Sequence, residues 1–344
     1  MQLARTGQRT VEGRAKQELR RHRPDSILSQ HHMRKAQILS STETSFVEPA
    51  LRVALDGATM VLQSDAQLNG RAAAHQLLQD CHKLDGQPGK AFSIRFGTAV
   101  TGFQVVEGGQ VVGVHTEEGS TITAERATVA AAGAWTGSFL AEMLSEPRWK
   151  EAIGPRPGQL LELDSLPPGM VPLSYGIMEM SYAKHYQTGG GHTASEVADL
   201  DITFTATCGA SGELLIGSSR EFYSVDKEPG RMQVTAAILQ HAAAFLPHLS
   251  EVAEAAQEEL RGGSGVWKGG KVRVGPRPWA ARGLPMVGEV PGHQGLWVAA
   301  GHEGSGLTLA PVTAELVEAL VNIGGDAGLS AAVIEALSPS FESV

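Results

Sequence analysis

The run Trp297-Val-Ala-Ala-Gly-His-Glu-Gly-Ser-Gly-Leu-Thr-Leu-Ala-Pro311 constrains this chain more than any other stretch. An apolar segment suited to a buried strand stops at a glycine turn, and the turn opens directly into residues suited to a helix. The first backbone N–H groups of a helix have no partner within it. With the helix dipole they favour a negative or electron-rich ligand. Glycines at 301, 304 and 306 let such a ligand approach the main chain. The stretch therefore predicts a site for an anionic or electron-rich cofactor.

With 344 residues the chain has room for two packed domains. Its 41 glycines cluster at turns without a repeating period, which suggests tight strand connections and backbone-lined pockets. A formal charge of -9 argues against nucleic acid as a partner. Residues 1–45 depart from that balance, with nine Lys or Arg against four Asp or Glu, but they contain no aromatic residue for stacking on bases. Their hydrophobic periodicity is poor. A frayed helix, a flexible arm and an import sequence remain open for them, with Glu12, Glu18 and Asp25 interrupting an import pattern.

Cys81 and Cys208 are too few for a disulfide framework, so a reducing intracellular compartment is expected, the cytoplasm by default with chloroplast import as the alternative. No apolar run reaches the roughly 18 residues needed to cross a bilayer, so no membrane partner is expected. His31-His32 lacks further ligands at suitable spacing, and no metal site is expected.

From Phe46 the texture is that of a packed domain. Residues 71–84 carry apolar side chains near helical spacing. Residues 92–105, 111–115 and 121–122, separated by glycine turns, read as a β-meander. Ala127-Thr-Val-Ala-Ala-Ala-Gly133 is apolar but for Thr128, as a central parallel strand is when both faces are covered. Residues 150–270 differ. Prolines punctuate extended segments there, and 231–260 reads as helix broken at Pro247.

The resulting division is a basic, poorly structured segment 1–45, a cofactor domain 46–149, a substrate or cap domain 150–270, a return to the cofactor domain over 271–330, and a tail 331–344. Trp135, Leu307 and Leu309 are expected to pack in the core.

Arg277 sits between Pro276 and Pro278, which fix its backbone and present a planar fork matched to a carboxylate. The plain alternative is a solvated loop charge. His302, at the strand end, suits polarising a substrate or contacting a cofactor ring, against a hydrogen-bonded structural role. Tyr182, His185, Tyr186 and Arg220 are candidates for lining a pocket in the second domain. No phosphate-loop pattern with its Lys and Ser or Thr is present.

Taken in order, six segments resemble the FAD-dependent D-amino-acid oxidase and glycine oxidase superfamily, most closely its plant and algal branch. They are Ala132-Gly-Ala-Trp135, Pro155-Arg-Pro-Gly-Gln-Leu160, Leu214-Leu-Ile-Gly-Ser-Ser-Arg220, Val272-Arg-Val-Gly-Pro-Arg-Pro278, Gly283-Leu-Pro-Met-Val-Gly288 and Ala300-Gly-His-Glu-Gly-Ser-Gly306. The resemblance covers residues 46–325. It implies a mixed α/β (α+β) fold, in which a Rossmann-like FAD-binding domain is joined to an antiparallel-sheet substrate domain. It also implies oxidation of a small amine or amino acid by hydride transfer to FAD.

On that resemblance Arg277 grips the substrate carboxylate, and His302 falls within the loop that faces the flavin. Val100, Ala132, Gly133, Gly301, Gly304, Ser305, Gly306, Leu307 and Thr308 contact FAD. The family opens with a strand, a Gly-x-Gly-x-x-Gly turn and a helix within its first 40 or so residues. Here residues 1–45 hold glycine only at positions 7 and 13. The FAD-binding domain is therefore expected to be incomplete, as in a family member whose first part is absent. The alternative function is a non-catalytic member that binds FAD weakly or not at all.

Overall fold

The computed structural model describes residues 2–4, 36–63, 65–85, 92–180, 200–221, 231–263, 267–323 and 330–341. Tyr182, His185, Tyr186 and most of the basic arm lie outside the described residues. In chain order the strands are β1 (Gln2–Ala4), β2 (Ala36–Ser40), β3 (Ala58–Leu62), β4 (Val100–Val105), β5 (Val111–Thr116), β6 (Thr121–Thr123) and β7 (Thr128–Ala130). There follow β8 (Ile153–Leu163), β9 (Ile177–Glu179), β10 (Leu200–Cys208), β11 (Leu214–Glu221), β12 (Lys271–Ala280), β13 (Met286–Glu289) and β14 (Leu296–Ala300). Mixed helix and antiparallel sheet is the class read from the sequence.

The chain divides into two units, one of residues 1–67, 157–188 and 194–276, the other of residues 68–156, 189–193 and 277–344. The sequence reading differs in placing 46–67 with the cofactor domain. Within the segment read as poorly structured, 1–45, β1 and β2 both belong to a sheet. Ile38 and Leu39 supply enough apolar character for β2 to pair along β3 from Ala36 opposite Leu62 to Ser40 opposite Ala58. Ser40 then caps the helix Ser41–Val47, its hydroxyl accepting from the Glu43 N–H while the Glu43 carboxylate accepts from the Ser40 N–H.

The first unit is built on a sheet of order β12-β8-β11-β10-β9-β1-β3-β2. β8, β11, β10 and β9 pair antiparallel in succession, and β1 runs parallel to β9. Helix Met232–Ala243 packs on β10 and β11 and against helix Ser250–Arg261. Pro247 opens the short 3-10 turn between the two helices, where a proline costs no helical hydrogen bond. Between helices and sheet lies a core of Leu161, Phe204, Leu214, Ile216, Ile238 and Leu239, in which Phe204 stacks on Phe245 with ring centroids 4.5 Å apart.

The second unit holds the β-meander, in which β5 pairs antiparallel with β4 and β6. Its first strand begins at Val100, eight residues beyond the start expected at Phe92. Helix Gly70–Leu84 is capped by the Asn69 side chain, which accepts from the Ala72 N–H at 3.1 Å. A separate three-stranded sheet runs β13-β14-β7. Its core gathers Leu140, Trp149, Ile153, Met286, Leu296 and Val298, with Phe341 edge-on to Trp149. Helix Thr136–Leu144 reaches this core because residue 137 is glycine: a Cβ there would stand 1.9 Å from the Ile153 carbonyl oxygen.

Three packing expectations are corrected in this unit. β7 is an edge strand with Val129 41% exposed, not a central strand covered on both faces. Trp135 is 59% exposed and Leu307 is 56% exposed, so neither is a core residue. β7 lies at the end of its sheet, paired on one side by β14, and Leu307 lies at the helix start, where its side chain meets the small Gly70. That helix with its lead-in turn, Glu303–Asn322, is long and apolar enough to cross a membrane by length and composition alone. The sequence reading passed over it because Glu315 and Glu318 break any charge-free run.

Candidate functional site

Two adjacent parallel strands end in the same way. β7 and β14 pair in parallel from Thr128 opposite Leu296 to Ala130 opposite Val298. After β7 the chain reaches Gly133 at φ 57°, makes the 3-10 turn Gly133–Trp135 and enters helix Thr136–Leu144. After β14 it reaches Gly301 at φ 86°, makes the 3-10 turn Glu303–Ser305 and enters helix Gly306–Ile323. Two left-handed backbone positions and two helix starts are thus delivered to the carboxyl ends of neighbouring strands. In open α/β sheets that is where ligands bind.

The two glycines serve different ends. At Gly301 a Cβ would come within 2.8 Å of the Ala280 Cβ, so the missing side chain allows β14 to leave against β12. At Gly133 a Cβ would meet nothing within 4 Å, which leaves open space in front of the backbone. A flat ligand can approach the chain there. Ala132 beside it is exposed.

His302 connects the turn to its surroundings through both backbone and ring. Its main chain bridges antiparallel to Trp279, two residues beyond Arg277. Its Nε2 lies 3.0 Å from the Thr313 hydroxyl, which ties the ring to the second turn of the following helix. Burial pushes its pKa below the ordinary histidine value and favours the neutral imidazole. The ring is therefore a hydrogen-bonded part of the helix start.

Arg277 lies within the extended β12, half-buried, and not in the loop of the plain alternative. Of the other sequence candidates, Val100 opens β4 opposite Thr116. The Ser305 N–H donates to the His302 carbonyl at 2.9 Å, and Gly304, Leu307 and Thr308 are exposed around the helix start. Pro311 removes the N–H that would bond the Leu307 carbonyl, loosening the first turn. Arg220 belongs to the other unit. It is fully buried in β11, opposite Asp201 across the strand pair, with Nη1 3.4 Å from the Thr203 hydroxyl.

One relationship escaped the sequence reading. Arg156 Nη1 donates to Glu303 Oε1 at 2.9 Å, with side chains only 6% and 14% exposed. Glu303 occupies φ 45°, a left-handed position that costs a side-chain-bearing residue about 1–2 kcal/mol. A signal was available. Gly154-Pro-Arg-Pro157 repeats Gly275-Pro-Arg-Pro278, so the chain frames two arginines identically.

Paired strand ends opening into helix starts are the arrangement at which open α/β sheets bind ligands. A family profile described as FAD dependent oxidoreductase, DAO, matches residues 1–320. The chain belongs to this family. It is 32% identical to a glycine oxidase of Pseudomonas putida KT2440 over 231 residues, covering 65% of this chain and 48% of the relative. A glycine oxidase of Pseudomonas aeruginosa PAO1 is 33% identical over 111 residues, 32% of this chain and 26% of that protein. The chain thus spans about half or less of the curated relatives it matches.

Solved structures share the fold. Glycine oxidase from Bacillus cereus superposes with a TM-score of 0.63 at 18% identity, over 99% of this chain and 74% of its own. Iminodiacetate oxidase from Chelativorans gives 0.67 at 20% identity, over 98% and 75%.

Proposed function

We propose that this chain is an FAD-dependent oxidoreductase that oxidises a small amine or amino acid at its carbon–nitrogen bond. The observation that carries this reading is the paired exit of β7 and β14 through Gly133 and Gly301 into helix starts. The residues present suit a flavin: open space before Gly133, a helix start at Gly306 directly after the glycine turn, and no acidic side chain in that helix's first turn. When bound, FAD supplies the two-electron acceptor.

Each group of the chain then has a positioning task. Gly301, Gly304, Ser305, Gly306, Leu307 and Thr308 form the flavin-facing turn, Ala132 and Gly133 the neighbouring strand end, and Val100 a contact further along the cofactor. Arg277, framed by two prolines, binds the substrate carboxylate through its guanidinium fork and so orients the amine-bearing carbon. The neutral His302 keeps the turn in register through Trp279 and Thr313 and adds no positive charge beside the substrate amine. Family membership and the relatives' activity as glycine oxidases support the amino-acid class.

The test is anaerobic. The chain is loaded with FAD, glycine and other small amino acids are added in turn, and the flavin absorbance is followed. Bleaching by one of them is expected, and it does not depend on the electron acceptor. A flavin that stays oxidised across the panel overturns the oxidase reading.

A further inference from the structure

The Arg156–Glu303 pair lies in the turn that the functional reading assigns to flavin, and it poses a question of charge. A helix start draws negative ligands. A carboxylate in the turn leading into it, left uncancelled, would oppose that attraction. Glu303 is such a carboxylate, in the 3-10 turn immediately before helix Gly306–Ile323. Its backbone is left-handed, a conformation that glycine would adopt at no cost. Its Oε1 accepts from Arg156 Nη1 at 2.9 Å, and both side chains are largely withdrawn from water. In such surroundings charges act over longer range than at a surface. Arg156 is itself held at the start of β8 between Pro155 and Pro157, so its guanidinium is presented with little freedom to leave.

We propose that Arg156 and Glu303 are a charge-setting pair for the flavin-facing turn. Arg156 cancels the carboxylate that fixes the turn, so that the helix start retains its preference for the more negative, reduced cofactor. Both are positioning residues acting through the turn. The proposal rests on the FAD reading above. It adds that the balance between two buried charges sets how much more tightly reduced FAD is held than oxidised FAD.

Reduction of FAD by two electrons and one proton adds one negative charge. Removing either partner therefore changes the preference for the reduced form in opposite directions. The measurement is the midpoint potential of the FAD-loaded protein, read by equilibration with redox dyes. Arg156→Met is expected to weaken reduced relative to oxidised FAD about tenfold, a potential about 30 mV lower. Glu303→Gln is expected to shift it upward by a similar factor. The double variant returns near the unmodified protein, and Arg156→Lys, which keeps the charge but not the fork, shifts it little.

A purely structural ion pair would lower stability in both single variants without this opposition of sign. Shifts in one direction, no shift, or an Arg156→Lys shift as large as that of Arg156→Met overturn the proposal. If either single variant does not fold, the lysine and double variants decide it. Unmodified protein that takes up no FAD overturns the functional reading as well, whereas bound FAD with shifts of one sign overturns only the charge-setting role.

Discussion

The main chain of His302 bridges antiparallel to that of Trp279, and this joins the glycine turn after β14 to the strand that carries Arg277. The spacing between the turn and Arg277 is therefore held by a backbone contact and not by a flexible side chain. In the proposed reaction that contact keeps substrate and cofactor in a fixed relation. A substitution at Arg277 should act on substrate binding without disturbing the turn.

Arg277→Ala is accordingly expected to lower kcat/KM for an amino acid by about 100-fold or more, the value of two charge-assisted hydrogen bonds. Arg277→Lys recovers part of the loss, since the charge remains while the fork does not. An amine without a carboxylate is oxidised at an unchanged rate. Steady-state kinetics on both substrate types checks this.

Gly301 and Gly133 separate folding from binding. Gly301→Ala brings a Cβ to 2.8 Å from the Ala280 Cβ at a φ of 86°, and a loss of about 2–3 kcal/mol in stability is expected. Gly133→Ala meets no neighbour within 4 Å and costs only about 1 kcal/mol from its φ of 57°. Its effect should instead appear as weaker FAD binding. Urea midpoints and FAD titrations of the two variants provide the comparison.

His302 makes stability depend on pH in a definite direction. Burial lowers its pKa in the folded chain, so the unfolded chain takes up the proton first as pH falls. Its stabilising contribution is complete above the unfolded value of about 6.5 and is lost as pH drops from there through the folded pKa. Urea midpoints of the unmodified protein should fall from about pH 7.5 to about pH 5.5 more steeply than those of His302→Gln. Equal slopes would remove His302 as the source.

Gly137→Ala is expected to be among the most damaging substitutions in the second unit. The added Cβ would stand 1.9 Å from the Ile153 carbonyl oxygen and 2.4 Å from that of Trp149, both main-chain atoms. Backbone cannot swing away as a side chain does, so a loss of about 3 kcal/mol or more is expected in denaturant titration.

What could be read from the sequence was local. The 297–311 run announced strand, turn and helix because apolar periodicity and glycine placement are written in consecutive residues. Pro247 marked its helix break for the same reason. For the Arg156–Glu303 pair only the proline frame of Arg156 was legible; its partner was not, since it lies 147 positions further along the chain. Trp135 and Leu307 were assigned to the core on residue type. Their exposure reflects what surrounds β7 and helix Gly306–Ile323, and residue type does not encode that. The strands β1 and β2 were missed because pairing with β3 and β9, not periodicity, defines such short segments.

The central claim is that the carboxyl ends of β7 and β14 hold FAD. Equilibrium dialysis of the purified chain against FAD, with the flavin absorbance read on the protein side, tests it most directly. The account predicts saturable uptake approaching one FAD per chain, weakened by Gly133→Ala while the fold is retained. A chain that stays colourless at saturating FAD, or one whose uptake Gly133→Ala leaves unchanged, would contradict it.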